Sequence, residues 1–120
     1  MKLFRKDEVK LEQSSAPLFT GAVDRAMLLD AAGSQDFVMS MVHFPVGVRN
    51  KLHTHTSDQI LIVTHGAGIV ATGDQELAVG SGDMVCVPAE VEHWHGASAA
   101  SDFTHLSIVA ANTQTRQLED

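Results

Sequence analysis

Histidines are the residues of this sequence whose spacing could support chemistry. Two of the seven lie two positions apart, at His53 and His55, and a second such pair follows at His93 and His95. On an extended strand, side chains two positions apart point to the same face, so each pair presents two imidazoles on one side. Neutral imidazole is a common ligand of divalent metals and is costly to bury without a partner. The pattern therefore predicts a buried metal site.

Two further side chains extend this pattern. Gln59 follows His55 by four positions and keeps the same parity if the chain stays extended through the intervening turn. His105 lies in the middle of a later apolar segment. An imidazole with an ordinary pKa of about 6.5 suits proton transfer at neutral pH. Histidines beyond the metal ligands are therefore candidate acids and bases.

The elements that would position these residues are short strands. From residue 36 onward, apolar segments alternate with turns that contain glycine or proline, which is typical of an all-β sandwich or barrel. Gly73 and Asp74 predict a two-residue hairpin turn. One helix is predicted at Val23–Ala32, ending near Gly33. The predicted strands are Phe37–Phe44, Gln59–Thr64, Ile69–Ala71, Glu76–Val79, Met84–Val87, His93–Ser98 and Phe103–Val109.

A chain of 120 residues predicts one domain. We expect an N-terminal arm and first strands over 1–35, a barrel core over 36–111, and a poorly ordered polar tail over 112–120. Arg49 could meet an anionic substrate or a carboxylate at the rim, but we interpret it as a solvated loop residue. Trp94 has the opposite parity to its histidine neighbours, so we expect it between the sheets or at a subunit contact.

Charge and cysteine content exclude several classes of partner. Eight basic and fifteen acidic residues give a net charge of −7, and four of the basic residues lie within the first ten. The remainder of the chain is therefore strongly acidic and repels nucleic acid and anionic membranes, so we expect neither as a partner. The single Cys86 cannot form an internal disulfide, which predicts a reducing, cytoplasmic location. We expect Cys86 to be a small core residue.

A framework of glycine and proline surrounds the histidines. The segment Gly47–Gly66 resembles the first motif of the cupin superfamily, G-x5-H-x-H-x3-E-x6-G, with Gln59 at the glutamate position. The segment Gly82–Ala97 resembles the second motif, G-x5-P-x-G-x2-H-x3-N, with Glu90 at the glycine position and alanine at the final asparagine. Fifteen residues join the two segments, a spacer typical of small single-domain bacterial cupins.

This resemblance implies a cupin double-stranded β-helix, or jelly-roll barrel. It also implies one divalent metal ion per chain, bound by His53, His55, Gln59 and His93. Glutamine in place of glutamate leaves such a site more positive, which favours Lewis-acid chemistry and anion binding over high-valent iron chemistry. The opposing interpretation is that glutamine marks a site that has lost its metal.

The local sequence is similar to one group of small cupins, the bacterial manganese-dependent hydroxynitrile lyases. This similarity implies Mn²⁺, with Fe²⁺, Zn²⁺ or Ni²⁺ as alternatives, and His95 and His105 as proton-transfer catalysts. Two other roles stay open: His95 as a residue that only orients a ligand, and His105 as a hydrogen-bonded core residue. Cupins generally form homo-oligomers, so we expect a dimer or tetramer. The segments that carry the similarity are His53–His55, Gln59–Thr64, Gly82–Val85, Glu92–Ala97 and Thr104–Leu106.

Three functions follow from these patterns. The first is a metal-dependent enzyme with lyase chemistry at an oxygen-bearing carbon, as in cleavage or formation of cyanohydrins. The second is an Fe(II)-dependent dioxygenase that uses the same ligands. The third is a non-catalytic cupin that binds or senses a small ligand. All three predict a small-molecule partner.

Overall fold

The computed structural model describes all 120 residues and contains ten strands and one short 3-10 helix. Every strand pairing is antiparallel. The helix spans Lys6–Glu8. The strands are β1 Glu12–Ser14, β2 Val23–Leu29, β3 Phe37–Phe44, β4 His53–His55, β5 Gln59–Thr72, β6 Glu76–Gly80, β7 Met84–Val87, β8 His93–Ala97, β9 Phe103–Ala110 and β10 Thr115–Gln117.

The longest strand, β5, belongs to both halves of the fold. Its first part pairs with β7 and β9, and its last part pairs with β6 and β8. Strands β1, β2 and β3 extend the first half beyond β9, and β4 and β10 extend the second half beyond β8. The halves curl around a core in which Phe44, Leu61 and Phe103 have no exposed surface. This architecture is the jelly-roll barrel that the sequence predicts.

The helix predicted at Val23–Ala32 is wrong, because Val23–Leu29 forms β2. Its alanine, methionine and leucine residues favour a helix in isolation, but β2 has a strand partner on each side. Backbone pairing on both edges and full burial of Val23 outweigh the weak local helix propensity.

The prediction of two separate strands at Gln59–Thr64 and Ile69–Ala71, with a break at Gly66–Gly68 between them, is also wrong, because β5 runs through all of these residues. A register shift between Val63 and His65 and a positive φ of 76° at Gly66 bend the strand without ending it. A Cβ atom at Gly66 would clash with the backbone of Asp102. The glycine is therefore required by close packing inside a strand, where the sequence suggests a turn.

Both ends of the chain are attached to the barrel. The arm contains the 3-10 helix and the edge strand β1, which pairs with β2. The expectation of a poorly ordered tail is wrong, because β10 pairs with β4 over Thr115–Gln117.

The predicted hairpin is confirmed, since the Thr72 N–H donates to the Gln75 carbonyl across Gly73 and Asp74. The structure contains no helix that is both long enough and apolar enough to cross a membrane.

Candidate metal centre and active site

Strand pairing brings the two histidine pairs together. Strand β4 turns His53 and His55 inward and Thr54 outward, and β8 does the same with His93 and His95 on either side of Trp94. His53 and His93 are direct cross-strand partners, and their ring centroids lie 4.4 Å apart. The same-face expectation from two-residue spacing is therefore confirmed on both strands.

Three imidazoles present nitrogen atoms to one point. One nitrogen each from His53, His55 and His93 lies within 4.8 Å of the other two, and all three residues are buried. The Nδ1–H of His53 donates to the Lys51 carbonyl at 2.6 Å, and that of His93 donates to the Val91 carbonyl at 2.8 Å. A carbonyl only accepts, so the proton of each ring lies on Nδ1 and the Nε2 lone pair is free for a metal ion.

His55 completes this set from the other side. Its Nδ1 lies 2.9 Å from the Thr115 hydroxyl on β10, and its Nε2 is buried without any hydrogen-bond partner. A buried polar atom without a partner is rare in a folded protein and calls for an explanation. A cation among the three imidazoles would supply that partner.

Gln59 adds an oxygen donor beside the nitrogen atoms. Its side chain is buried, its Nε2 donates to the Ser107 hydroxyl at 2.9 Å, and its Oε1 lies 2.9 Å from Nε2 of His93. Since the proton of His93 lies on Nδ1, the amide oxygen and Nε2 are two acceptors in contact. A cation between them would convert this repulsion into attraction, so the side chains present fit a divalent metal.

The three histidines are neutral at physiological pH. Burial is the main cause that lowers the pKa of His53 and of His55 to about 4, and the neighbouring imidazoles lower it further. Burial also lowers the pKa of His93. A metal ion requires deprotonated imidazole, so this burial prepares the site for binding. The set contains no carboxylate, so a divalent ion here would keep its full charge.

A hydrogen-bonded pair of histidines lies beside this set. Nε2 of His105 lies 3.0 Å from Nδ1 of His95, and both rings are buried. Asn50 accepts the His95 backbone N–H with Oδ1 at 2.8 Å, which turns its Nδ2 toward Nε2 of His95 at 3.0 Å. The amide N–H therefore donates to Nε2, and the His95 proton lies on Nδ1 and donates to His105.

The far end of this chain of hydrogen bonds is free. Nδ1 of His105 is buried and has no hydrogen-bond partner. Burial lowers the pKa of His105 to about 4 and that of His95 well below its ordinary value. Both imidazoles are therefore neutral at physiological pH. Phe44 packs against both rings. Its ring centroid lies 6.0 Å from that of His95 and 5.5 Å from that of His105.

One cavity of about 220 Å³ joins these groups. It is lined by three of the four predicted ligands, by His95 and His105, and by Asn50. The pocket lies below the usual size range for drug-sized ligands, which begins at about 300 Å³, so it suits a small molecule. Most of its lining residues are polar, and polar side chains that converge on one cavity can orient a reacting group.

Several side chains outside the cavity differ from expectation. Arg49 is partly exposed but is not a free loop residue, because it forms a bidentate ion pair with Glu119 at 2.7 and 3.0 Å and lies over the Trp94 ring. This pair lowers the pKa of Glu119 to about 2. Cys86 is exposed and not in the core, because Val85 and Val87 take the inward positions of β7.

The sequence interpretation missed the residues that orient the histidines. Asn50, Ser107 and Thr115 are isolated polar residues, and none forms a spaced motif with its partner. Their only sequence signal is polarity inside or beside an apolar segment. The two remaining histidines, His43 and His65, share the Asp102 carboxylate away from the cavity.

A jelly-roll barrel with buried histidines at one end of its cavity defines the class of protein. A family model described as "Cupin domain" matches residues 40–109, more than half of the chain. The chain belongs to the cupin family.

Proteins with enzyme names are among its relatives. An (R)-mandelonitrile lyase of Granulicella tundricola is 36% identical over 94 residues, which cover 78% of this chain and 72% of that protein. An acireductone dioxygenase of Acidiphilium cryptum is 34% identical over 95 residues, which cover 72% of this chain and 53% of that protein. The chain thus spans about half the length of that dioxygenase.

Solved structures share the fold over the whole chain. A cupin-like protein from Thermotoga maritima has a TM-score of 0.86 and 30% identity, covering 100% of this chain and 90% of that one. A polyketide cyclase from Streptomyces resistomycificus has a TM-score of 0.84 at 19% identity, covering 98% and 85%. The second similarity concerns the fold alone.

Proposed function

We propose that this protein is a metal-dependent cupin lyase that cleaves or forms the bond between a hydroxyl-bearing carbon and a cyanide carbon. The observation that carries the proposal is the contact between two neutral groups of side chains, the ligand set and the His95–His105 pair, in one small cavity. The relative named (R)-mandelonitrile lyase supports this reaction class.

His53, His55, Gln59 and His93 would hold the metal, and we take it to be Mn²⁺. When bound, a divalent ion supplies Lewis-acid stabilisation to a substrate oxygen that gains negative charge. The four side chains carry no charge, so they leave that ion strongly electrophilic. Ser107 keeps the amide oxygen of Gln59 turned toward the histidines.

The His95–His105 pair would move the proton. In cleavage, the substrate hydroxyl proton passes to the pair, and the bond between the carbinol carbon and the nitrile carbon breaks. Both bonding electrons leave with cyanide, a carbonyl group forms, and the proton then returns to cyanide. Nε2 of His95 bears the lone pair that would take this proton, and the unpartnered Nδ1–H of His105 is the end of the hydrogen-bonded chain that would return one to cyanide.

An assay of mandelonitrile cleavage under nitrogen tests this proposal. We expect benzaldehyde release by the manganese-loaded protein, and a loss of about 100-fold or more in His105→Ala. His65→Ala is the matched control, since His65 is exposed and lies away from the cavity. The proposal is wrong if no release exceeds the uncatalysed rate, or if His65→Ala and His105→Ala behave alike.

The alternative is a dioxygenase, and the relatives named acireductone dioxygenase favour it. The same ligand set would then hold Fe²⁺. Oxygen uptake with an acireductone and iron-loaded protein, together with inactivity toward mandelonitrile, would support this alternative over the lyase.

A further inference from the structure

Arg25 is the only charged side chain that lines the cavity, since the histidines there are neutral. It lies on β2, forms no ion pair and makes no side-chain hydrogen bond. Its cross-strand neighbour Glu12 does not pair with it, even though the two are opposite each other on β1 and β2. The guanidinium group is therefore available to a ligand.

Strand register places Arg25 in line with the catalytic end of the cavity. Arg25 is opposite Val42, and Val42 is opposite His105. Directly opposed residues of antiparallel strands point to the same face, so all three face the cavity. Two strand spacings of about 4.8 Å put the backbones of Arg25 and His105 roughly 10 Å apart. A small substrate can touch both side chains at once.

Arg25 differs from the other three arginines in its position, since it is the one that lines the cavity. The net charge is −7, and the other arginine near the cavity, Arg49, is paired with Glu119. Guanidinium groups bind carboxylates through two parallel hydrogen bonds, a geometry that lysine cannot reproduce. An unpaired arginine at the mouth of a small pocket is therefore suited to receive a carboxylate.

We propose that the substrate of this cavity carries a carboxylate, which Arg25 binds while the hydroxyl or carbonyl group lies next to His105. This inference rests on the proposed function, since it takes the cavity to be the substrate site. It adds a substrate class, the cyanohydrins of small oxo acids and the oxo acids that they release, and assigns Arg25 as the residue that selects them.

Ligand affinity tests the assignment without turnover. Mandelate and mandelamide have nearly the same shape but differ in charge, and each can be titrated calorimetrically into manganese-loaded and metal-stripped protein. We expect mandelate to bind the metal-stripped wild-type protein, in which no bound cation attracts it, at least about tenfold more tightly than mandelamide, which corresponds to about 1.4 kcal/mol. Raising the salt concentration should shrink this preference, because Arg25 is exposed.

Three variants separate a charge effect from a general one. Arg25→Met should abolish the preference for mandelate and leave mandelamide binding unchanged, and Arg25→Lys should restore part of it. Arg116→Met is the matched control, since Arg116 is exposed on β10 and does not line the cavity. The proposal is overturned if wild type binds both ligands equally, or if Arg25→Met weakens both to the same extent.

The two proposals can fail separately. Mandelate binding that depends on Arg25, without cleavage of any cyanohydrin, would reject the lyase and leave the assignment of Arg25 intact. Cleavage of mandelonitrile by a protein that shows no preference for mandelate over mandelamide would reject the assignment of Arg25 and leave the lyase proposal intact.

Discussion

Asn50 binds His95 at two points, its backbone and its ring. Oδ1 of Asn50 accepts the backbone N–H at 2.8 Å, and Nδ2 lies 3.0 Å from Nε2 of the imidazole. The first contact decides which end of the amide faces the ring, and the second then decides where the ring carries its proton. Asn50 is thus the residue that determines the direction of hydrogen bonding between His95 and His105.

Replacing Asn50 by Asp should disrupt this order. An aspartate still accepts the backbone N–H but offers a second acceptor to Nε2, so the His95 proton should move to that nitrogen and away from His105. We expect kcat to fall by about 10- to 100-fold with little change in KM. The ¹⁵N chemical shifts of His95 should show this change, with Nε2 becoming the protonated ring nitrogen and Nδ1 the unprotonated one. Unchanged shifts together with an unchanged kcat would contradict this role.

Thr115 should control metal affinity through His55. Its hydroxyl lies 2.9 Å from Nδ1 of His55 and orients the ring. Thr115→Val removes this partner and should weaken Mn²⁺ binding by about 10- to 100-fold, whereas Thr115→Ser should retain most of the affinity. Competition with a chelator measures the effect. Thr54→Val is the control, since Thr54 faces away from the site. An equal loss of Mn²⁺ affinity in this control would show that the Thr115 hydroxyl has no specific effect on the metal site.

Glu90 has a left-handed backbone conformation, with φ of 68°, at the motif position where cupins have glycine. A side chain in this conformation costs about 1 kcal/mol. Its backbone N–H also donates to the His55 carbonyl at 2.8 Å, and this hydrogen bond stabilises the turn in spite of that cost. Glu90→Gly should therefore stabilise the protein by up to about 1 kcal/mol in urea unfolding.

Glu92→Gly is the matched control for this turn. Glu92 is also exposed but does not have a positive φ. Glycine there adds only flexibility to the unfolded chain, so we expect a loss of about 0.5–1 kcal/mol. If both glycine variants destabilise the protein equally, strain at Glu90 is not the cause.

The metal-free protein should lose stability in mild acid. Burial lowers the pKa of His53, His55 and His105 from about 6.5 to about 4. Between these values the unfolded chain binds more protons than the folded one, so the free energy of unfolding decreases as the pH falls from 6.5 toward 4. Above pH 6.5 the effect is absent. Urea unfolding at pH 7.5, 6 and 5 measures the slope.

A variant identifies the source of this acid sensitivity. His105→Gln removes one buried imidazole outside the ligand set and should make the slope shallower. A free energy of unfolding that stays constant between pH 7.5 and 5 would show that these histidines are not kept neutral by burial.

Local spacing predicts the inward-facing residues well. In both histidine pairs the two-residue period of a strand assigns the face without knowledge of the partner strand. The glycine framework likewise predicts the barrel. These features depend on residues close together in the chain, which is why the sequence reveals them.

Contacts between distant segments could not be predicted in this way. Asn50 lies 45 positions from His95, and Thr115 lies 60 positions from His55. Strand β10 has three residues and β2 has favourable helix formers, so neither has a clear period of its own. Pairing with neighbouring strands determines both, and local propensity does not contain that information.

Four neutral side chains, those of His53, His55, Gln59 and His93, are proposed to bind one divalent ion. Titration of metal-stripped protein with Mn²⁺, followed by electron paramagnetic resonance, tests this binding most directly. We predict one bound ion per chain in the wild type, no saturable binding in His93→Ala, and tighter binding in Gln59→Glu, where an anionic ligand is added. Saturable binding that is unchanged in His93→Ala, or none in the wild type, would contradict the account.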